Sequence, residues 1–288
     1  MIHGGHPVSA PVEWMASIKV HYHHRDKSPF PCGASQISPD MVLTAAHCVN
    51  RDAGGEEPYR IQVRVGGLER GSGGQELEAE DWWVPDSISV SGDWALIRIP
   101  RHPLSHYPIL PADRSHDSES SYSVMGWGYL DDADRKEPRL LHRVELPRIP
   151  GPGHDCDSSS AICAGDLAHG SVDACAGDSG GPLFTTNPDG RTCQVGIVSW
   201  AMQHCGTEDN PGYYTRVSTY RRTMLGVIDE LGGTRPSATA SPTPTAPMTT
   251  PSPTATPTSP SPTHPTHLTT TSPESTPSQP RALPHTGR

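Results

Sequence analysis

Residues 173–182 read Asp-Ala-Cys-Ala-Gly-Asp-Ser-Gly-Gly-Pro, a serine inside a glycine-rich turn with carboxylates one and six residues upstream. A hydroxyl is a poor nucleophile at neutral pH, so Ser179 gains chemical meaning only with a base within hydrogen-bond reach. Thr44-Ala45-Ala46-His47-Cys48 offers that base, and Gly92-Asp93-Trp94-Ala95-Leu96-Ile97 offers a carboxylate to orient it. Taken singly, each of these residues is far more often structural than reactive. Three motifs in the order His, Asp, Ser form a constellation suited to nucleophilic catalysis.

Around these motifs the chain is all-β in pattern. Short apolar or alternating runs such as 61–65, 95–99 and 194–200 are separated by Gly, Pro, Asp and Ser and read as strands of a sandwich or barrels. One helix is predicted over roughly 218–231, with Ser218 as its cap and Gly232-Gly233 as its end. It reads as a packing element. The composition changes abruptly near Arg235: all six Trp, eight Tyr, two Phe and seven Cys lie before it. Residues 1–235 are long enough to bury a sizeable core. Residues 236–288 are rich in Pro, Thr and Ser, and such a tail cannot offset its ordering entropy, so it reads as disordered or extended. The formal net charge of −10 argues against nucleic-acid or anionic-membrane partners. No apolar run is long enough to span a bilayer. Seven cysteines point to an oxidising compartment.

Further segments fall into one pattern: Ile2-His3-Gly4-Gly5, Cys32-Gly33-Ala34-Ser35, Gly126-Trp127-Gly128, Ser199-Trp200 and Pro211-Gly212-Tyr213-Tyr214-Thr215-Arg216-Val217. With the His47, Asp93 and Ser179 motifs between them, residues 2–233 resemble a trypsin-like endopeptidase of the chymotrypsin family. The resemblance implies two six-stranded antiparallel β-barrels with the catalytic site between them. It implies that Ser179 attacks a peptide carbonyl, that His47 carries the proton, and that Asp93 holds the imidazole. The N–H groups of Gly177 and Ser179 would receive the oxyanion. Asp178 would pair with the α-ammonium of a mature end at Ile2, and a retained Met1 would misplace that charge and leave a zymogen-like form. Asp173 would form the base of a pocket for Arg or Lys, with Ser199, Trp200, Ala201 and Gly212 around it. The bridges implied are Cys32–Cys48, Cys156–Cys163 and Cys175–Cys205. Cys193 is left over, either as a buried or simply unpaired thiol or as a site of intermolecular pairing.

No cofactor and no metal are expected. The partners implied are protein or peptide substrates and proteinaceous inhibitors, and the chain is expected to be a monomer. An export signal and propeptide are expected upstream of this sequence, giving a secreted or wall-attached protein. Three departures from the family pattern stand out. Ala201 occupies the place of a glycine, residues 201–204 lengthen the loop before Cys205, and the gap between Cys156 and Cys163 is short. Arg135 and Lys136, in a polar loop, are expected self-cleavage points.

Other signals are weaker. His21-Tyr22-His23-His24 could gather a metal but shows no converging ligands, so a polar strand or turn is preferred. Residues 66–74 hold five glycines near Glu69, Glu76 and Glu78; this reads as a surface loop rather than a calcium site, and it lacks the ending of a phosphate loop. The tail closes on Leu283-Pro284-His285-Thr286-Gly287, which resembles a sortase signal for attachment to peptidoglycan. Two rival readings stay open: a protease of altered primary specificity, and a protease-like module that binds proteins without cleaving them.

Overall fold

In the computed structural model the described residues are 2–23, 32–50, 57–86, 92–130, 137–150, 156, 159–201 and 204–237. Met1, His24, the loop 131–136, residues 202–203 and the tail with its 283–287 ending lie outside them, as does the side chain of Ala201.

The first sheet holds β2 (Met15–His21), β3 (Cys32–Ser38), β4 (Met41–Thr44), β5 (Arg60–Val65), β6 (Gln75–Glu78), β7 (Asp81–Trp83) and β8 (Ala95–Arg98), in the order β6-β5-β2-β3-β4-β8-β7. Sequence dictates its two faces. Ile61, Val63 and Val65 of β5 are buried, while Arg60 and Arg64 between them pair with Glu78 and Glu76 of β6. The seven segments make six staves, because β6 and β7 are one strand bent at Ala79-Glu80. The Ala79 N–H donates to Ile61 O at 2.9 Å and the Glu80 N–H to Arg98 O at 2.8 Å, so the bend joins the two edges. A barrel closed in this way leaves no edge to manage.

The second sheet runs β1 (His6–Pro7), β10 (His142–Pro147), β9 (Ser121–Gly126), β12 (Pro182–Thr186), β13 (Thr192–Ala201), β14 (Gly212–Arg216), β11 (Ala161–Ala164). It closes between β10 and β11 through the Ile149 N–H to Cys163 O at 3.0 Å and the Gly165 N–H to Pro147 O at 2.9 Å. Here too six staves form the barrel; β1 adds a two-residue edge to β10. Both sheets are antiparallel throughout their named pairings.

Strand β3 is buried along its whole length because the second barrel lies against it. Across that contact the Ser35 hydroxyl donates to Gln194 Oε1 at 2.6 Å. Trp14, Met15, Met125, Trp127, Leu141 and Phe184 form an apolar cluster shared by both barrels. Three bridges join Cys32 to Cys48, Cys156 to Cys163 and Cys175 to Cys205. Cys193 lies fully buried in the second barrel, which leaves its thiol no surface on which to meet another chain.

Helix α2 (Val217–Glu230) sets Val217, Met224, Val227 and Ile228 against the first barrel's core. Ser218 is not its cap. Strand β14 runs straight into the helix, so the extended residue at the boundary is Arg216, and the Ser218 hydroxyl turns to Asp117 Oδ2 at 3.5 Å. The far end is as expected from the glycines. Gly232 adopts φ 68°, its N–H donates to Asp229 O, and the Gly233 N–H donates to Ile228 O at 2.8 Å. Thr234 then donates to both Asp40 oxygens, from its N–H at 2.7 Å and its hydroxyl at 2.8 Å, which pins the chain just before Arg235.

Candidate active site

His47 sits in a single helical turn, α1 (Ala46–Val49), that follows β4 directly. The Cys32–Cys48 bridge ties this turn to β3. Asp93 lies just before β8 with its side chain 5% exposed. Its Oδ1 accepts the His47 backbone N–H at 2.9 Å, and its Oδ2 lies 2.6 Å from His47 Nδ1. The second barrel adds two bonds: the Ser199 hydroxyl to Oδ2 at 2.6 Å and the Thr215 hydroxyl to Asp93 O at 3.0 Å. Burial pushes the Asp93 carboxyl up, but the bonds from His47 and Ser199 outweigh it and hold the group below the usual carboxylate range. An ionised carboxylate only accepts, so Nδ1 is the ring nitrogen that donates in this pair.

Ser179 is fixed by its backbone. Its carbonyl accepts the Gly33 N–H at 2.8 Å, and the Thr44 hydroxyl donates to Gly33 O at 2.8 Å. The Ser179 turn and the segment leading to His47 therefore share one anchor on β3. A side chain at Gly180 is excluded, because its Cβ would lie 2.2 Å from Thr44 Oγ1 and φ is +78°. Among the described residues no hydrogen bond joins the Ser179 hydroxyl to His47; Nε2 stands 3.7 Å from Cys48 Sγ. Such contacts commonly tighten only when substrate binds. Cys32, His47 and Cys48 place ligand atoms within 4.8 Å of one another, but both sulfurs are spent in the bridge and offer no thiolate to a metal.

Gly177 takes φ +95°, and neither its N–H nor that of Ser179 donates to another group among the described residues. Two donors in one turn are thus without an acceptor among the described residues. Behind them Asp178 is wholly buried. Its Oδ1 accepts the Gly128 N–H at 2.8 Å and its Oδ2 the Cys175 N–H at 3.0 Å, while burial raises its pKa. This explains Gly126-Trp127-Gly128. A Cβ at Gly126 would lie 2.0 Å from Asp178 Oδ1, and one at Gly128 would lie 2.5 Å from Cγ. Ile2 is fully buried nearby in the second barrel's core, and His3 exchanges backbone bonds with Asp173 at 2.8 and 3.2 Å.

A cavity of about 180 Å³ opens beside Ser179, lined by Ser199, Trp200, Cys205, Gly212, Tyr213 and Tyr214 among others. Trp200 stacks on Tyr213 with ring centroids 4.2 Å apart. Ala201 pairs with Gly212 across β13 and β14. Asp173 lies behind this lining, 2% exposed. Its Oδ2 accepts the Gly206 N–H at 3.2 Å, whereas Oδ1 has no hydrogen-bond partner among the described residues. The Tyr214 hydroxyl is likewise unpartnered. A Cβ at Gly212 would stand 3.0 Å from that Oδ1 and 2.9 Å from the Tyr214 hydroxyl. Burial pushes the Asp173 carboxyl up to about 7.

Sequence reasoning missed Thr215, Tyr214 and the reason for Gly126 and Gly128. The first two sit inside a quoted motif, so position was available but role was not. The weaker candidates have other partners: His21 Nε2 lies 2.9 Å from Gln62 Oε1, His23 stacks on Tyr59, and Glu69 pairs with Arg139.

A family model described as Trypsin matches residues 2–224. The chain is also similar to a trypsin-like protease of Streptomyces glaucescens, with 32% identity over 209 residues that cover 69% of this chain and 75% of that protein.

Proposed function

This chain belongs to the trypsin family and is a serine protease; from that premise we propose an endopeptidase that cleaves after Arg or Lys through Ser179, His47 and Asp93. The observation that carries the proposal is the double contact of Asp93 with His47, which takes up Nδ1 and leaves Nε2 as the proposed base. In the reaction, Nε2 takes the Ser179 proton as Oγ bonds to the carbonyl carbon. The carbonyl oxygen gains negative charge and is received by the N–H groups of Gly177 and Ser179. His47 then returns the proton to the leaving amine, and water repeats the sequence to release the acyl group.

Asp173 is the proposed partner of the basic side chain. Its unsatisfied Oδ1 supports this reading, since a guanidinium would supply the missing donor. Ser199, Trp200, Ala201 and Gly212 would form the pocket. For Asp178 we propose an ion pair with the α-ammonium of a chain that begins at Ile2. A retained Met1 is proposed to misplace that charge. The Met1 form is accordingly expected to be nearly inactive. Residues 1–235 are proposed as the protease domain and 236–288 as a separate tail, of which 238–288 lie outside the described residues. Three disulfides are compatible with an extracellular protein. Wall attachment through residues 283–287, inhibition by substrate-like proteins and a monomeric state complete the proposal.

One observation favours the rival reading of altered specificity. Asp173 lies behind the pocket's lining and is held up to about 7, so an empty pocket offers only part of a negative charge at neutral pH. A panel of peptide substrates differing only before the scissile bond separates the two. Arg and Lys substrates should lead by orders of magnitude and lose that lead in Asp173→Ser; a lead that survives the substitution rejects the pocket assignment. Absence of turnover on every member would favour the non-catalytic module.

A further inference from the structure

A second cavity, about 170 Å³, is lined in part by Cys156 and Cys163 and shares no described lining residue with the first. Among the described residues its walls carry Arg114, Arg148 and Arg216 and the carboxylate of Asp117.

The four groups are not equally satisfied. Arg216 and Asp117 form a buried ion pair, with side chains 8% and 9% exposed. Arg216 also donates to Ala161 O. Arg114 donates to Ser159 O at 3.0 Å, and its Nε stands 3.9 Å from Asp117 Oδ2. Asp117 Oδ2 thus faces Arg216, Arg114 and Ser218. Its Oδ1 is buried with no hydrogen-bond partner among the described residues. Arg148 is half-buried, and its guanidinium makes no hydrogen bond or ion pair with a described residue.

Among the described residues, therefore, the Arg148 guanidinium has no acceptor and Asp117 Oδ1 has no donor. Leaving buried polar groups unmet is costly. An oxyanion that also brings a proton or an adjacent N–H meets both needs at once. Guanidinium forks suit phosphate and carboxylate for geometric reasons. We propose that this cavity binds a compact oxyanion, held by Arg148 and Arg114 over the Arg216–Asp117 pair. Free phosphate and the acidic side chain of a docking peptide share this chemistry. The position gives the site a route to substrate binding: Ile149 and Cys163 line this cavity and pack with Tyr213 and Trp200, which line the specificity pocket.

The test is calorimetric titration of the full chain with inorganic phosphate, and separately with a short glutamate-rich peptide free of Arg and Lys, at matched ionic strength. One saturable site per chain is expected. Arg148→Gln should weaken it by about tenfold or more, and Arg148→Lys by less, because a point charge replaces the fork. Arg139→Gln, on an exposed pair elsewhere, should change nothing. Phosphate binding alone assigns a free-anion site. Peptide binding that phosphate displaces assigns a docking site for acidic side chains. Absence of saturable binding by either probe overturns the proposal, as does binding unchanged in both Arg148→Gln and Arg114→Gln.

Discussion

His47 meets Asp93 twice, through its backbone N–H to Oδ1 at 2.9 Å and through Nδ1 to Oδ2 at 2.6 Å. The first contact sets where the residue stands and the second sets which ring nitrogen is protonated. Asp93→Asn keeps the shape but can present an N–H to Nδ1, which reverses the tautomer. A fall in kcat of about 10⁴-fold at neutral pH is expected, the loss this change causes in the archetypal triad. Steady-state kinetics with KM little altered would agree; a fall of less than tenfold would speak against Asp93 as the orienting group.

Asp173 gives a pH signature. Its folded pKa, about 7, stands above the ordinary 3.8 because the group is buried. The raised value means the folded state holds the proton more tightly than the unfolded chain. Its contribution to stability is therefore complete below the ordinary pKa and is lost as pH rises through about 7. Binding of a small amidinium inhibitor should run the opposite way, tightening through the same range and then levelling. Asp173→Asn should flatten both curves. Identical curves for the two proteins would remove Asp173 from the pocket's charge.

The glycines of Gly126-Trp127-Gly128 make room for a carboxylate. Gly126→Ala would bring Cβ within 2.0 Å of Asp178 Oδ1, a distance that forces movement. A stability loss of about 1–3 kcal/mol is expected from overpacking, with a larger loss of turnover because Asp178 adjoins the Gly177–Ser179 turn. Urea unfolding and initial rates measure the two separately. An alanine variant of full activity would show that Asp178 can shift without disturbing that turn.

Cys193 should be silent in the native protein. It is fully buried, and burial pushes its thiol up to about 12. Alkylation at neutral pH should leave it unmodified until denaturant is added, as read by intact mass. Labelling of the folded chain within minutes would contradict the packing of the second barrel.

What could be read from the sequence was local. The motifs around His47, Asp93 and Ser179 carry their chemistry in a few adjacent residues, and Gly232-Gly233 ends its helix through bonds to Asp229 and Ile228. Contacts made by barrel closure could not be read. Arg216 and Asp117 are 99 residues apart and meet only because β14 and the segment before β9 lie together. Thr215 reaches Asp93 O from the other barrel. Ser218 looked like a cap because Ser favours that position, yet the strand continues to Arg216 and carries the boundary with it. The bend at Ala79-Glu80 has no Gly or Pro to announce it; two backbone bonds to different neighbours hold it.

The most direct measurement is the initial rate of hydrolysis of an Arg-containing chromogenic peptide by protein that begins at Ile2, beside its Ser179→Ala variant. The account predicts steady turnover that falls by about 10⁵–10⁶-fold in the variant. Equal rates in the two proteins, or no turnover from folded protein with its three bridges formed, would contradict it.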